Sequence, residues 1–349
     1  MAGTKSEKKA EKKESESIRK TEEPVKRESV GKIEGSMKRE SVGKIEGSMK
    51  RESTGKIEET GKGEKNRNGV SAGKIESSEK KDSTKKNTRI IAFANNKGGS
   101  GKTTTCANVG YSLSLLGGKV LLIDGDMQMN LTLSFFGEDA VLEFASGEKN
   151  LYTALKQEAD LSDYVVHTPY ENLDLIPSSM LMSGIEYELF SRQERERILT
   201  KCLAQLKAKA EYDYILIDAP PTLGGWVMNI LCASDYCILP VEASPWGLFG
   251  VANMFEFLEN IKEQTPDLVL LGVVITKMDA RKNYGRQTLE VLHEFEEVNV
   301  FNTIIRVDSE IEWAQDNSRP VYVHKKSARS AGEYLELAKE VERHVRRSR

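Results

Sequence analysis

Apolar residues are unevenly spread along this 349-residue chain, and their pattern changes near residue 88. Beyond it, short continuous apolar runs are typical of strands buried on both faces. Between them lie stretches with apolar residues at helical spacing. The predicted strands are 88–94, 119–124, 173–176, 214–217, 236–240 and 269–275, and the predicted helices are 104–116, 186–210, 247–263 and 284–296. This alternation predicts a doubly wound α/β domain over 89–349, with a mostly parallel sheet and helices on both faces.

The first 88 residues lack that pattern. They contain one proline, no aromatic residue and no cysteine, and they are rich in Lys, Glu, Ser and Gly. Such a composition buries too little apolar surface to offset chain entropy, so we expect a disordered tail over 1–88. The sequence KRESVGKIEGSM occurs at 26–37 and again at 38–49. This 12-residue period is shorter than that of solenoid repeats.

The net charge of −3 conceals two oppositely charged parts. Residues 1–88 carry 24 basic and 17 acidic side chains, and the remainder carries 27 basic and 37 acidic ones. The tail is therefore basic and the body acidic. One interpretation is a duplicated linker without a specific role. The other is a mobile arm that holds an anionic polymer through Lys and Arg contacts to phosphate, which the interspersed glutamates would weaken.

The sequence shows no pattern typical of a membrane protein or of a redox-active cysteine pair. No apolar run approaches the roughly 20 residues that span a bilayer, and no secretory signal pattern is present. The cysteines have neither metal-binding spacing nor a C-x-x-C pair. We expect buried free thiols at Cys106, Cys202, Cys232 and Cys237. The expected location is the cytoplasm, with no membrane partner.

The stretch NNKGGSGKTTT at 95–105 follows the first predicted strand and opens the first predicted helix. It fits the phosphate-binding loop G-x-x-x-x-G-K-[ST], except that Asn96 replaces the opening glycine and Lys97 adds a second cation. The glycines let successive N–H groups point at phosphate oxygens at a helix N-terminus. Lys102 would reach the β- and γ-phosphates, and the Thr103 hydroxyl would bind Mg²⁺.

Carboxylates follow two of the predicted strands. Asp124 and Asp126 come after the second strand, and Asp218 ends the run YILI. In such folds ligands bind at the carboxyl edge of the sheet, where these side chains are expected to meet. Mg²⁺ prefers few carboxylates and several waters. The sequence therefore predicts ATP and Mg²⁺ as cofactors, with Thr103, Asp124, Asp126 and Asp218 around the metal.

The stretch KGGSGKTT resembles the deviant Walker A motif of the ParA/MinD family of dimerising ATPases, and VLLIDGDMQMNLT and DYILIDAPPTLG resemble its two switch segments. The resemblance spans 89–343 and implies a P-loop NTPase fold of the SIMIBI type. It implies an ATP-bound homodimer and slow hydrolysis without a partner. Lys97 would cross the interface to the partner's nucleotide, Asp126 would position the attacking water, and Asp218 would hold the magnesium shell through water. Met127 replaces the family's proline, so the hydrolysis rate stays open.

The resemblance also distributes roles over the site. The expected catalytic residues are Lys97, Lys102, Asp126 and Asp218. The expected nucleotide-binding residues are Lys97, Gly98, Gly99, Ser100, Gly101, Lys102, Thr103, Thr104 and Thr276. The segment TKMD at 276–279 also looks like the guanine-reading motif N-K-x-D, but it lacks the Asn, which favours ATP.

Family members that bind DNA nonspecifically use two surface arginines. Arg281 matches the first, whereas a gap-free match places Glu310 at the second and leaves only Arg306 nearby. A carboxylate repels phosphate, which argues against the family's DNA contact on the body. We therefore hypothesise that the basic tail supplies DNA contacts, with Arg281 and Arg306 as candidates on the body.

The function implied by the resemblance is partition of plasmid, chromosome or mobile-element DNA with a centromere-binding ParB-like partner, in association with the nucleoid. The alternative is a nucleotide-switched positioning protein that places a protein complex without binding DNA. The final segment YLELAKEVERHVRRSR has apolar residues at helical spacing but no Phe or Trp. This favours packing on the body over the membrane-binding helix with which MinD-type proteins end.

Overall fold

The computed structural model describes residues 87–279, 281–282, 284–293 and 298–348. The predicted tail lies outside them except for its last two residues, so its disorder and its role stay predictions. One of these two, Thr88, already belongs to the folded body. It is buried, and its hydroxyl donates a hydrogen bond of 2.8 Å to the Tyr212 carbonyl.

Seven strands form one sheet within the described residues. They are β1 (Arg89–Phe93), β2 (Val120–Asp124), β3 (Val166–His167), β4 (Leu173–Ile176), β5 (Tyr214–Asp218), β6 (Tyr236–Glu242) and β7 (Val269–Thr276). The order across the sheet is β3-β4-β2-β5-β1-β6-β7. All neighbours are parallel except β3, which is antiparallel to β4. The predicted mostly parallel, doubly wound sheet is confirmed.

The helices lie between and after the strands. They are α1 (Lys102–Leu115), α2 (Asn130–Leu133), α3 (Glu138–Ser146), α4 (Leu151–Gln157), α5 (Ile185–Phe190), α6 (Ile198–Lys209), α7 (Gly225–Cys232), α8 (Pro245–Asn260), α9 (Tyr284–His293), α10 (Ser309–Asp316), α11 (Val321–His324) and α12 (Arg329–Arg347). No described helix is both long and apolar enough to cross a bilayer.

The sheet separates two hydrophobic clusters because successive side chains of a strand point to opposite faces. In β5, Ile215 and Ile217 pack in the cluster formed with α4 to α9. Tyr214 and Leu216 pack in the cluster formed with α1, α2 and α12. Both faces of the sheet are therefore covered, as the continuous apolar strands predicted.

The C-terminal helix α12 packs on the body. Its buried apolar residues share a cluster with Val109 and Leu113 of α1. They are Tyr334, Leu337, Ala338, Val341 and Val345. The expectation that this helix covers the body, rather than offering a free apolar face, is confirmed.

Two details of the sequence prediction were wrong. The segment 186–210 is not one helix, because α5 ends at Phe190 and α6 begins at Ile198. The seven residues between them are all polar, so they offer the core nothing to bury, and Glu194 adopts a left-handed conformation with φ 49°. Cys232 is only partly buried, whereas the other three cysteines are buried free thiols as expected.

Candidate nucleotide-binding site

The predicted phosphate loop connects β1 to α1 at the carboxyl edge of the sheet. Gly99 and Gly101 have φ values of 73° and 88°, a left-handed conformation that favours glycine. A Cβ added to Gly101 would lie 3.3 Å from Thr276 Oγ1. The Thr276 hydroxyl donates a 2.7 Å hydrogen bond to the carbonyl of Ser100. Thr276 therefore fixes the loop against the end of β7.

The start of the loop is held by Asn95. Its Nδ2 donates to the Pro240 carbonyl at 2.7 Å, and its Oδ1 accepts from the Lys97 amide at 2.9 Å. A Cβ added to Gly250 of α8 would approach Asn95 Oδ1 to 3.0 Å, so this helix passes close to the loop. Asn96, the departure from the usual glycine, has a buried Oδ1 without a hydrogen-bond partner among the described residues.

Lys97 is directed at its own chain. Its Nζ forms an ion pair with Oε2 of Glu242, the last residue of β6, and donates to Ser244 Oγ at 3.0 Å. The pair is partly buried, with 26% of the Lys97 side chain and 31% of the Glu242 side chain exposed. The lysine that is expected to serve a partner subunit is thus paired with side chains of its own chain.

Lys102, by contrast, is buried in the loop. Its Nζ donates to the Lys97 carbonyl at 3.2 Å. Burial lowers the pKa of this ammonium, while the carboxylates of Asp218 and Asp126 act in the opposite direction. Because little water screens the Lys102 ammonium, it attracts an anion bound at the loop strongly.

Asp124 and Asp218 are register partners at the ends of β2 and β5, and both are fully buried. Asp124 Oδ2 accepts hydrogen bonds from Thr132 N at 2.8 Å and from Thr132 Oγ1 at 2.7 Å. Its Oδ1 accepts from Asp126 N at 3.2 Å. Burial raises the pKa of Asp124 to about 6, although these hydrogen bonds oppose the shift. The chain thus already uses both oxygens of Asp124.

Asp218 is compensated less than Asp124. Neither of its oxygens meets the geometry of a hydrogen bond to any described residue. Burial and then the neighbouring Asp124 raise its pKa well above the ordinary value, and the Thr103 hydroxyl and the Lys102 ammonium offset only part of this. A buried carboxylate without partners is costly, so a cation or ordered water at this point would stabilise it.

The described residues contain no group of three or more His, Cys, Asp or Glu side chains placed to hold a metal ion unaided. A magnesium ion at the edge of the sheet would therefore depend on few protein ligands. This fits its preference for water and phosphate oxygens over an all-protein cage. Thr103 and Asp218 fit that requirement better than Asp124, whose oxygens are occupied.

A cleft of about 1220 Å³ opens over the loop. It brings together these predicted site residues: Gly98, Gly99, Gly101, Lys102, Thr103, Thr104, Asp126, Thr276 and Arg306. Lys97 lies to one side, and Ser100, Asp124 and Asp218 lie buried. Gln128 donates its backbone N–H to Asp126 Oδ1 at 3.1 Å and so helps to orient that carboxylate.

Sequence reasoning missed several residues of the cleft. Gln315 of α10 donates through Nε2 to Thr104 Oγ1 at 2.9 Å, so α10 forms a wall of the cleft beside the start of α1. Lys277 also lines the cleft. It directly follows Thr276, in a segment whose resemblance to the family gave a nucleotide-binding role to Thr276 and a DNA-contacting role to Arg281 but none to Lys277. Glu242 and Ser244 had no local signal, because their partner Lys97 lies about 145 residues away.

The arginines predicted to contact DNA are both engaged with carboxylates. Arg281, with 86% of its side chain exposed, donates through Nε and Nη2 to the two oxygens of Asp279, each at 2.9 Å. This pairing lowers the pKa of Asp279 to about 2. Arg306 lies on the wall of the cleft and pairs with Glu333.

The Glu310 carboxylate is paired with neighbouring side chains. Its Oε1 pairs with Lys325 Nζ, and its Oε2 lies 3.3 Å from His324 Nε2. The repulsion expected from a carboxylate at this position is therefore partly neutralised by its own neighbours. The charge argument against DNA contact on this face is weaker than the sequence alone implied.

Comparisons with known proteins agree with this geometry. A family profile described as an AAA domain matches residues 88–270. The sporulation initiation inhibitor protein Soj of Bacillus subtilis is 38% identical over 254 residues, which cover 72% of this chain and 98% of that protein. The chromosome partitioning protein ParA of Caulobacter vibrioides is 32% identical over 254 residues, covering 72% and 93%. Nearly the whole of each relative therefore has a counterpart in this chain.

A solved structure extends the likeness to three dimensions. Cobyrinic acid a,c-diamide synthase from Mycobacterium smegmatis, with bound ATP analogue and magnesium, superposes with a TM-score of 0.65 at 31% identity. The match covers 75% of this chain and 97% of that chain. The doubly wound sheet and the loop after its first central strand are thus shared with a protein whose structure contains nucleotide and metal.

Proposed function

We propose that this chain, which belongs to the ParA/MinD family of ATPases, is a nucleotide-switched partition ATPase that segregates DNA. The observation that carries the proposal is the carboxyl edge of the sheet. There the phosphate loop, the Asp126 carboxylate and the unpartnered Asp218 lie at the ends of β1, β2 and β5. This arrangement suits a magnesium nucleoside triphosphate better than any other ligand class.

ATP would bind with its phosphates over the glycine loop. The loop N–H groups, the start of α1 and the Lys102 ammonium would receive the phosphate charge. Bound Mg²⁺ would supply further neutralisation of that charge. The Thr103 hydroxyl would bind the metal directly, and Asp218 would accept hydrogen bonds from its waters, which gives that buried carboxylate the partners it lacks.

Hydrolysis requires a positioned water and an added positive charge. Asp126, oriented by the amide of Gln128, lines the cleft and would hold the attacking water. Lys97 would add the charge in trans, because developing negative charge at a phosphoryl group is stabilised by such a cation. For this, Lys97 must exchange Glu242 and Ser244 for the partner's nucleotide. We therefore propose slow hydrolysis in the monomer and a dimer that forms only with triphosphate.

The cargo is proposed to be plasmid, chromosome or mobile-element DNA, engaged through a ParB-like partner, and the likeness to the chromosome partitioning protein ParA of Caulobacter vibrioides supports partitioning. The second candidate is a positioning protein that does not bind DNA. The pairing of Arg281 with Asp279 and of Arg306 with Glu333 favours this candidate, since each guanidinium would have to exchange or share its carboxylate to bind phosphate.

Binding to nonspecific duplex DNA separates the two candidates. We would measure it with ATP and with ADP, at two salt concentrations, for the full chain and for a chain that begins at residue 87. Partition predicts ATP-dependent binding that salt weakens strongly. Binding by the full chain alone would assign the contact to the tail, and equal binding by both would assign it to the body. If neither binds DNA while ATP still drives dimerisation, partition is contradicted and positioning becomes the better account.

A further inference from the structure

Lys277 extends from the end of β7 towards the phosphate loop. Its backbone has φ 51°, a left-handed conformation that is uncommon for a residue other than glycine. Its Nζ lies 3.8 Å from the position that a Cβ would occupy on Gly99. Since Gly99 has no side chain, the ammonium lies directly beside the backbone of the loop.

The charge of Lys277 has no partner in the described part of the chain. Three cationic side chains line the cleft, namely Lys102, Lys277 and Arg306. Lys102 donates to the Lys97 carbonyl and lies in the field of two carboxylates, and Arg306 pairs with Glu333. Lys277 is exposed, and it forms neither an ion pair nor a hydrogen bond with a described residue. Lys277 is thus a cation of the cleft with which no described carboxylate forms an ion pair.

The backbone on both sides of Lys277 is fixed. The preceding Thr276 holds the Ser100 carbonyl of the loop. The following Met278 donates its N–H to the Ile305 carbonyl at 3.1 Å and accepts from the Val307 amide at 3.0 Å. A left-handed backbone conformation carries strain and persists only where its surroundings determine it. The fold therefore sets the direction of the Cα–Cβ bond of Lys277, from which the side chain reaches the loop.

We propose that Lys277 is a further nucleotide-binding residue, whose ammonium binds the phosphate chain of the nucleotide in cis. The proposal rests on the nucleotide site proposed above and adds to it a cation distinct from Lys102 and from the interface lysine Lys97. A compact ammonium beside a glycine loop is suited to phosphate oxygens, because the loop N–H groups and the lysine then face the same anion. The bound nucleotide would thus meet two lysines of its own chain.

Nucleotide affinity tests this directly on the full-length protein. Calorimetry would give the Kd of Mg-ATP, Mg-ADP and AMP for wild type, Lys277→Met and Lys277→Arg. Lys282→Met is the matched control, because it removes the same charge from an exposed lysine in the same segment, outside the residues that line the cleft. Lys277→Met should weaken ATP binding by about tenfold to hundredfold, the range for a lost hydrogen bond to a charged group. ADP should lose less, AMP should be unchanged, and Lys277→Arg should keep most of the affinity.

Each outcome bears on the proposal. Unchanged ATP affinity in Lys277→Met overturns it, as does an equal loss for ATP and AMP, which would show packing on the sugar or base. A loss in Lys277→Arg as large as in Lys277→Met also overturns it, because charge would then not be the cause. A loss in Lys282→Met equal to that in Lys277→Met would show a general field effect and overturn it too. Failure of the wild-type chain to bind ATP would instead contradict the proposed function itself.

Discussion

Replacing Glu242 by glutamine removes the charge that holds Lys97 in cis. Glutamine keeps the size and shape of the side chain, so the perturbation is confined to the contact with the Lys97 ammonium. If Lys97 must leave Glu242 to reach the partner's nucleotide, the substitution should favour dimerisation. A purely structural ion pair would predict no such gain.

The magnitude follows from the geometry of the contact. Both side chains are less than one third exposed, and Lys97 Nζ also donates to Ser244 Oγ at 3.0 Å. Exposed ion pairs contribute about 0–1 kcal/mol and hydrogen bonds to charged groups about 1.5–3 kcal/mol, so about 1–2 kcal/mol is reasonable for this partly buried pair. A symmetric dimer releases two such contacts. Glu242→Gln should therefore lower the dimer Kd by about 30-fold to 1000-fold.

Sedimentation velocity with a non-hydrolysable ATP analogue and Mg²⁺ would measure the dimer Kd. Glu259→Gln is the matched control, because its ion pair with Lys262 is 73% and 70% exposed and lies on the surface of α8. ATP affinity must be measured separately by calorimetry, since removing a negative charge near the loop can itself strengthen nucleotide binding. An unchanged or higher dimer Kd in Glu242→Gln, with normal ATP affinity, would show that dimerisation does not require Lys97 to leave Glu242.

Two further substitutions test contacts that position the site. Thr276→Val removes the hydroxyl that donates to the Ser100 carbonyl. Calorimetry should show about tenfold weaker ATP binding with an unchanged fold. Wild-type affinity would contradict the role of Thr276 in fixing the loop. Burial alone would raise the pKa of Glu340, but hydrogen bonds from Asn302 and Thr303 bring it below the usual value. Its stabilising contribution is thus present above about pH 4.5 and is lost as pH falls through the lower folded-state pKa. Denaturant unfolding should show Glu340→Gln less stable by about 1–3 kcal/mol at pH 7, with a smaller difference below pH 4.5; a pH-independent difference would contradict this.

The features that could be predicted from the sequence are those determined by neighbours in the chain. The glycine loop follows an apolar run and opens a helix, so its position at the sheet edge was predictable. The same holds for Asp124 and Asp218, which end strands that turned out to be register partners. The prediction of one helix over 186–210 failed because the polar residues inside it interrupt the apolar periodicity. The elements β3, α2, α3, α4, α7, α10 and α11 were missed because they are short and give weak patterns.

The contacts that define the state of the site could not be predicted, because they join distant parts of the chain. Glu242 holds Lys97 across about 145 positions, and Gln315 reaches Thr104 across about 211. Whether an arginine can bind DNA likewise depends on its ion-pair partner. Arg306 lies just before α10, and its partner Glu333 lies in α12. The sequence shows which residues are charged, but only the fold shows which of them form ion pairs.

We propose that Lys97 acts in trans on a nucleotide held by Asp126 and Lys102 of the partner. ATP hydrolysis by mixtures of Lys97→Ala and Asp126→Ala tests it most directly. Each variant alone should be inactive, but in a mixed dimer the Lys97→Ala subunit keeps Asp126 and receives the partner's intact lysine. An equal mixture should recover about a quarter of wild-type turnover, because about half of randomly formed dimers are mixed and each has one complete site. If co-purification of differently tagged subunits shows mixed dimers but no activity is recovered, Lys97 acts within its own subunit and the role in trans is wrong.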